Sequence, residues 1–177
     1  EINGLPENYK KERKMIDGIF AIDMSYPSYI PFMDFSESDQ AREKLKYKFN
    51  NRASSVNLDV LNNIIRKRRE LVSVLGYNSY AEYRTEDRMA NNPNNVWEFE
   101  NDLQNKLRPK AERDLQKMLT KKSERTGKDA SSIYPWEAGY YENLILKEDF
   151  DLDQEEVRQY FEFNNVTKGL FTVYQQL

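Results

Sequence analysis

The apolar residues between positions 58 and 75 constrain the fold of this chain more than any other feature of its sequence. They recur at intervals of three and four positions, the spacing that places side chains on one face of an α-helix. The residues concerned are Leu58, Leu61, Ile64, Ile65, Leu71, Val72 and Leu75. Gly76 follows directly, where a helix favours a left-handed C-cap residue. The pattern predicts a long helix that ends at Gly76.

Other segments carry weaker helical signals. Ser36 is predicted to cap a helix that reaches about Ala53, because Ala41, Leu45 and Phe49 share one face with that last residue. The Asn91-Asn92-Pro93 sequence predicts another start, with proline in the first turn. Within that helix Pro109 is expected to produce a kink or an interruption, after which the helix continues to Gly127.

The end of the chain predicts two more helices. Asp153 and Glu156 have the spacing of a capping box, and a last helix is expected from about Asn165. No capping glycine or polar tail precedes Leu177, so we expect the polypeptide to continue beyond it.

The first 35 residues read differently. Gly4-Leu5-Pro6-Glu7 predicts a turn into a short charged helix, and residues 18–24 form a brief β-capable run. Two prolines and two tyrosines in residues 25–31 predict an extended, irregular segment. We therefore predict an all-α or nearly all-α array of helices, with residues 1–35 as an irregular lead-in and 36–177 as the helical body of a single region.

Composition excludes several kinds of site. The 177 residues contain neither histidine nor cysteine, which removes a Ser-His-Asp triad and a zinc site of the usual kind. The net charge of −3 provides no general attraction for nucleic acid or an anionic membrane. No run approaches the roughly 18 apolar residues that span a bilayer. We expect a soluble protein, cytoplasmic or periplasmic, without choosing between the two compartments.

Two charged runs are candidate sites with simpler interpretations. Residues 148–156 place carboxylates two positions apart, as a calcium loop does, but Gln154 and Tyr160 stand where that loop needs glycine and glutamate. A solvated loop with a helix cap explains the run better. Residues 66–69 are all basic, yet they point around the helix and Glu70 can pair with Arg66, so a solvated face is favoured over a nucleic-acid patch.

Carboxylates and tyrosines give further candidates. Glu137 and Glu142 could serve acid–base chemistry, although the chain's 30 acidic residues make chance pairs common. The pairs Tyr26 with Tyr29 and Tyr140 with Tyr141 could contact a ligand, but packing is the simpler interpretation.

The order of several unusual segments resembles the thimet oligopeptidase, neurolysin and oligopeptidase A family of zinc metallopeptidases. The matching segments in the first half are Gly4-Leu5-Pro6-Glu7, Asp23 to Met33, Arg42 to Leu45, Asn51-Arg52-Ala53, Ile64 to Leu71, Leu75 to Tyr83, Arg88-Met89-Ala90 and Pro93. Those in the second half are Leu107 to Glu112, Pro135-Trp136-Glu137 with Tyr140-Tyr141, and Asp153, Glu155, Glu156 and Tyr160-Phe161. Leu75 to Tyr83 is the most specific segment.

Three residues depart from the family pattern. Glu137 stands where the family usually has aspartate, Gln159 where it has proline, and Glu100 where an apolar residue is common. The resemblance extends from Gly4 to Leu177 but includes no counterpart of the His-Glu-x-x-His motif, whose histidines bind zinc and whose glutamate activates water.

The resemblance implies a helical region that precedes the catalytic core and forms part of the wall of a substrate channel. Zinc, short peptide substrates and a catalytic domain of the same polypeptide would belong to the parent enzyme. That enzyme would be either a metalloendopeptidase or a dipeptidyl carboxypeptidase. In this chain we expect no catalytic residue, metal ligand or cofactor, and we assign no substrate-binding residue. The alternative is a complete, non-catalytic helical module that binds a protein partner.

Overall fold

The computed structural model describes residues 2–11, 13, 15–151 and 154–176. It confirms a nearly all-α protein. The helices are α1 (Glu7–Lys11), α2 (Tyr26–Phe35), α3 (Asp39–Asn50), α4 (Ser54–Leu75), α5 (Tyr80–Thr85), α6 (Pro93–Thr126), α7 (Ala138–Phe150), α8 (Gln154–Arg158) and α9 (Phe163–Gln176). The strands are β1 (Met15–Ile16) and β2 (Ile19–Phe20).

The chain divides into two compact units, and the main core lies in the first. Unit 1 comprises Glu1–Phe49 and Lys117–Leu177, and unit 2 comprises Asn50–Gln116. The core of unit 1 is contributed by α1, α2, α3 and the segment before α1. Its buried residues are Leu5, Tyr9, Tyr29, Phe32, Met33, Ala41 and Leu45, with Ile22, Met24, Phe35, Phe49 and Trp136 packed against them.

The predicted extended segment at residues 25–31 is instead part of α2, so that prediction was wrong. Pro27 lies in the first turn, where proline is tolerated because the amide hydrogens there have no partner within the helix. Pro31 lies inside the helix and cannot donate to the carbonyl four residues earlier, that of Pro27. The Arg13 Nη2 donates to this carbonyl at 3.0 Å and replaces the missing bond. Tertiary contacts therefore make the proline-rich segment helical.

The start of the following helix also differs from the prediction. Ser36 ends α2, with its amide donating to the Phe32 carbonyl at 3.0 Å, and does not cap α3. Ser38 takes that role, since its hydroxyl accepts a hydrogen bond from the Ala41 amide at 3.3 Å. Helix α3 ends at Asn50, and Ala53 has a left-handed conformation with φ of 53°.

The predicted β-capable run, residues 18–24, contributes only β2, the second strand of a short two-stranded hairpin. Strands β1 and β2 are antiparallel, with Ile16 opposite Ile19. Asp17 and Gly18 connect them with φ of 50° and 75°, the positive values that a tight two-residue hairpin turn requires. Residues 21–24, the remainder of the predicted run, lie outside the strands.

Unit 2 confirms the helix predicted from the apolar spacing. Helix α4 ends at Leu75, and Gly76 has a left-handed φ of 81° with its amide directed at the Ser73 and Val72 carbonyls. The next helix is capped by Ser79, whose hydroxyl accepts from the Glu82 amide at 3.1 Å. The specific Leu75 to Tyr83 segment therefore contains the last residue of α4, the connection at residues 76–79 and the first four residues of α5.

Helix α6 begins as predicted but is not interrupted. The Asn92 side chain accepts a hydrogen bond from the Asn95 amide at 3.0 Å, which confirms the cap before Pro93. The helix continues through Pro109 to Thr126, and Gly127 follows with φ of 66°. One proline removes a single backbone hydrogen bond, and the flanking turns are rich in strong helix formers.

The last two helices agree with the sequence pattern. Helix α9 spans Phe163–Gln176 and was predicted from about Asn165. Asp153, the proposed first residue of the capping box, lies outside the described residues. Among the helices of the described part of the chain, each is too short or too polar to cross a bilayer.

The substitution Tyr9→Phe tests the hydrogen bond between the Tyr9 side chain of α1 and the backbone of α2. The Tyr9 hydroxyl is buried and donates to the Ser28 carbonyl at 2.7 Å. We expect Tyr9→Phe to lower the free energy of unfolding of unit 1 by about 1 kcal/mol, the usual contribution of a buried hydrogen bond. Urea unfolding in a Trp97→Phe background would follow unit 1, since Trp136 is then the sole tryptophan.

Tyr26→Phe provides the matched control for this prediction. Tyr26 is 65% exposed, so removal of its hydroxyl is expected to change the free energy of unfolding by less than about 0.5 kcal/mol. Equal effects of the two substitutions would contradict the role assigned to the Tyr9 hydrogen bond.

Candidate functional site

The buried guanidinium of Arg42 connects α3 with the segment before α7. Its side chain is 2% exposed. Its Nε donates to the Trp136 carbonyl at 3.1 Å, its Nη2 to Asp39 Oδ1 at 3.0 Å, and its Nη1 to the Ser36 carbonyl. The group also lies 4.2 Å from the centre of the Tyr140 ring. A planar, permanently charged group with several donors suits such a site.

Trp136 makes a second contact between α3 and the segment before α7. Its Nε1 donates to Asp39 Oδ1 at 3.1 Å, and its ring stacks on Tyr134 with centroids 4.7 Å apart. Asp39 therefore receives hydrogen bonds from both Arg42 and Trp136. This arrangement fixes the position of the residues that lead into α7.

Glu137, the residue that departs from the resembled pattern, is buried in an ion pair. Its carboxylate is 2.7 Å from Lys122 Nζ, and the two side chains are 5% and 15% exposed. The same carboxylate oxygen accepts the Tyr134 amide at 2.8 Å. Lys122 also donates to the Ser132 carbonyl at 3.0 Å. The Glu137 carboxylate thus holds the loop after α6 through Lys122 and the Tyr134 amide.

Three of the four candidate tyrosines are packing residues. Tyr140 and Tyr141 are 3% and 4% exposed, and Tyr29 is buried against Phe49 with ring centroids 3.7 Å apart. Burial raises the pKa of both Tyr140 and Tyr141, so their hydroxyls remain protonated near neutral pH. Tyr26 is exposed and lies at the edge of the same aromatic group.

A cleft of about 620 Å³ lies in unit 1 beside the contact of α2 with α7. Apolar side chains form much of its wall. They are Pro27, Ile30, Pro31, Phe35, Leu146, Val157 and Phe161. The α7 residues Gly139, Glu142, Asn143 and Leu146 face it at helical spacing. Its volume is within the range of small-molecule sites.

Asp34 is the unusual charged group in this cleft. Burial, with a smaller contribution from the negative charge of Glu142, raises the pKa of Asp34 from its ordinary value of 3.8 to about 6. Asp34 was not singled out from the sequence. It is the only charged residue in α2, a signal that could have identified it.

The proposed Glu137 and Glu142 pair is not brought together as an acid–base site. Glu137 is engaged by Lys122, whereas Glu142 is exposed and acts on Asp34. Helical spacing explains the difference, because positions five apart do not share one face.

The described parts of the two charged runs lie mainly on exposed helix surfaces. Glu70 lies 3.4 Å from Arg66 Nη1 and 2.7 Å from Lys67 Nζ, which confirms the predicted pairing on α4. Asp149 lies on α7 and pairs with Lys117 at 3.0 Å, and Glu148 pairs with Lys121. Asp153 lies outside the described residues. Across the described part of the chain, no three acidic residues are grouped so as to hold a metal ion.

Comparison with known proteins identifies the family. The profile of peptidase family M3 matches residues 32–177. The chain belongs to peptidase family M3. It is 31% identical to saccharolysin of Saccharomyces cerevisiae over 97% of its length, which covers 24% of that protein. It is 28% identical to oligopeptidase A of Escherichia coli and to the thimet-like oligopeptidase of Dictyostelium discoideum, over its full length and 28% of each relative.

This M3 chain therefore spans about a quarter of the length of the relatives that it matches. The matched range begins within α2 and includes its last four residues, Asp34 among them, and the whole Arg42 and Glu137 network. The family predicted from the sequence resemblance is therefore confirmed.

Arg42→Met tests the connection that Arg42 makes. The substitution keeps a long apolar side chain but leaves the buried Ser36 carbonyl and the partly buried Trp136 carbonyl without the Arg42 donor. We expect a loss of about 3 kcal/mol in the free energy of unfolding, measured by urea unfolding with Trp136 fluorescence in the Trp97→Phe background. Arg125→Met is the control, since Arg125 is 43% exposed and pairs with the exposed Glu37. A loss as small as in this control would contradict the proposed connection.

Glu137→Gln tests the buried ion pair separately. It leaves Lys122 charged and largely buried, so we expect a loss of about 2 kcal/mol in the free energy of unfolding. Glu37→Gln makes the same chemical change in an exposed pair and is expected to cost less than about 1 kcal/mol. Two similar losses would show that the burial of the Glu137 pair has no special effect.

Proposed function

We propose that this chain is the non-catalytic helical part of a zinc-dependent oligopeptidase that hydrolyses short peptides. In this proposal its helices form part of the wall of the substrate channel. The parent enzyme is a metalloendopeptidase or a dipeptidyl carboxypeptidase.

The match to family M3 over residues 32–177 is the observation that carries the proposal. The names of the relatives, saccharolysin and the oligopeptidases, support peptide hydrolysis as the reaction of the whole protein. The chain covers only about a quarter of those proteins, so most of the residues of such an enzyme would lie outside it.

The residues of this chain do not fit a zinc site of the usual kind. It contains no histidine or cysteine, and the described acidic residues form no group of three. We therefore assign no step of hydrolysis to these residues. Zinc and the group that activates water belong to another part of the parent polypeptide in this proposal.

The exposed apolar faces of the helices support packing against further polypeptide. On α9, Val166, Leu170 and Val173 recur at helical spacing and are 47%, 54% and 57% exposed. On α6, Trp97 and Phe99 are 66% and 64% exposed. Neighbouring exposed apolar side chains on one surface commonly mark a protein interface.

The same surfaces also support the alternative, a stand-alone helical module that binds a protein partner without enzymatic activity. The two proposals differ in what accompanies this region in the polypeptide. In the first, a catalytic domain of the same polypeptide covers part of the apolar surface. In the second, a separate protein does so.

Zinc content and peptidase activity of the complete gene product distinguish the two proposals. We expect the protein from the full open reading frame to contain one zinc ion per chain and to cleave a quenched fluorescent peptide of about ten residues. It should leave a folded protein substrate intact, because a channel excludes it. Chelation should abolish cleavage, and added zinc should restore it.

The 177-residue chain is the matched control for this experiment. It should contain no stoichiometric zinc and should show no cleavage above a buffer blank. A complete gene product without zinc and without activity would contradict the oligopeptidase proposal and favour the interaction module. Zinc-dependent turnover by the 177-residue chain would contradict the assignment of this region as non-catalytic.

A further inference from the structure

Helices α2 and α7 come unusually close where Asp34 faces Gly139. A Cβ atom placed on Gly139 would lie 2.5 Å from Asp34 Oδ1, which is closer than van der Waals contact allows. One turn farther along α7, Asn143 Nδ2 donates to the Asp34 backbone carbonyl at 3.3 Å. The Asp34 carboxyl is therefore held at the contact between the two helices.

The surroundings of this carboxyl do not stabilise its charge. Among the described residues, no side chain or amide donates a hydrogen bond to it, and the nearest charged neighbour on α7 is the acidic Glu142. The other titratable or charged groups that line the cleft are Tyr9 of α1, Arg13 and Arg158 of α8. The Arg13 guanidinium is engaged by the Pro27 carbonyl and lies 4.4 Å from the centre of the Tyr9 ring.

We propose that Asp34 is a proton-dependent clamp between α2 and α7, closed when its carboxyl is neutral and loosened when the carboxyl is charged. A neutral carboxyl can remain in the partly apolar contact, where burial costs it less than it costs the charged form. A charged carboxyl is drawn towards water and repelled by Glu142. Because both helices form walls of the 620 Å³ cleft, loss of the proton also widens the cleft.

The direction of the pH effect follows from proton linkage. The pKa of Asp34 is about 6 in the closed contact and has an ordinary value of 3.8 in water. The closed form therefore binds the proton more tightly. Its extra stability is complete below about pH 4, decreases as the pH rises towards 6, and is lost above that value.

Hydrogen exchange of the 177-residue chain at pH 4.5 and pH 7.5 tests the clamp. After correction for the intrinsic exchange rate, we expect α2 and α7 to be protected about tenfold or more strongly at pH 4.5. Helix α4 provides an internal control, because it belongs to unit 2 and contains none of these groups. Its corrected protection should change much less.

Three variants separate charge from packing. Asp34→Asn keeps a neutral group of the same size, so the strong protection should persist at both pH values. Glu142→Gln removes the neighbouring charge and should reduce the pH dependence. Gly139→Ala introduces the steric conflict without altering a charge, so it should weaken protection even at pH 4.5 and reduce the pH dependence.

A direct titration keeps the proposal testable if a variant does not fold. The carboxyl carbon resonance of Asp34 in the unmodified chain should titrate with a midpoint near 6, as the raised pKa requires. A midpoint near 4 would overturn the proposal. Equal pH dependence of α2 and α7 protection in the unmodified chain and in Asp34→Asn would overturn it as well.

Discussion

The buried guanidinium of Arg42 joins segments that are far apart in the chain. It binds the carbonyl that ends α2, a carboxylate at the start of α3, and the Trp136 carbonyl 94 positions away. A buried charge is tolerated only when its donors are satisfied, so each of these groups must occupy a defined position. The contact of α2 with α7 depends on that arrangement, because Trp136 lies in the turn that leads into α7. The cleft beside Asp34 follows from the same constraint.

Local signals predicted the helices whose ends are determined by short-range contacts. Gly76 and Asn92 act as predicted, because a left-handed C-cap and a side-chain N-cap involve only neighbouring residues. The prediction failed for α2, where Pro31 removes a hydrogen bond and Arg13, 18 positions earlier, supplies a replacement. The prediction that Ser36 caps α3 also failed. Serine is a common N-cap residue, and the local sequence does not distinguish Ser36 from Ser38, which caps the helix in the structure. A contact between distant residues cannot be derived from local spacing.

The same limit applies to the candidate site. The sequence drew attention to Glu137 and Glu142 as a pair, but helical geometry directs them to different surroundings. Asp34 acquires its raised pKa from the closeness of α7, which depends on the absence of a side chain at Gly139. Family membership, in contrast, was accessible from the sequence, because the Leu75 to Tyr83 and Pro135 to Tyr141 segments keep a recognisable order. These segments form a helix connection and the loop held by Arg42.

We propose that this M3 region borders the peptide path of a larger enzyme, whose zinc ligands lie outside the 177 residues. Photo-crosslinking in the complete gene product tests it most directly, with a non-cleavable peptide of about ten residues that carries a photoreactive group. We expect crosslinks within residues 32–177, suppressed by an excess of unlabelled peptide, together with zinc ligands that all lie outside the 177 residues. Crosslinks confined to other parts of the protein would contradict the role of this region as a channel wall.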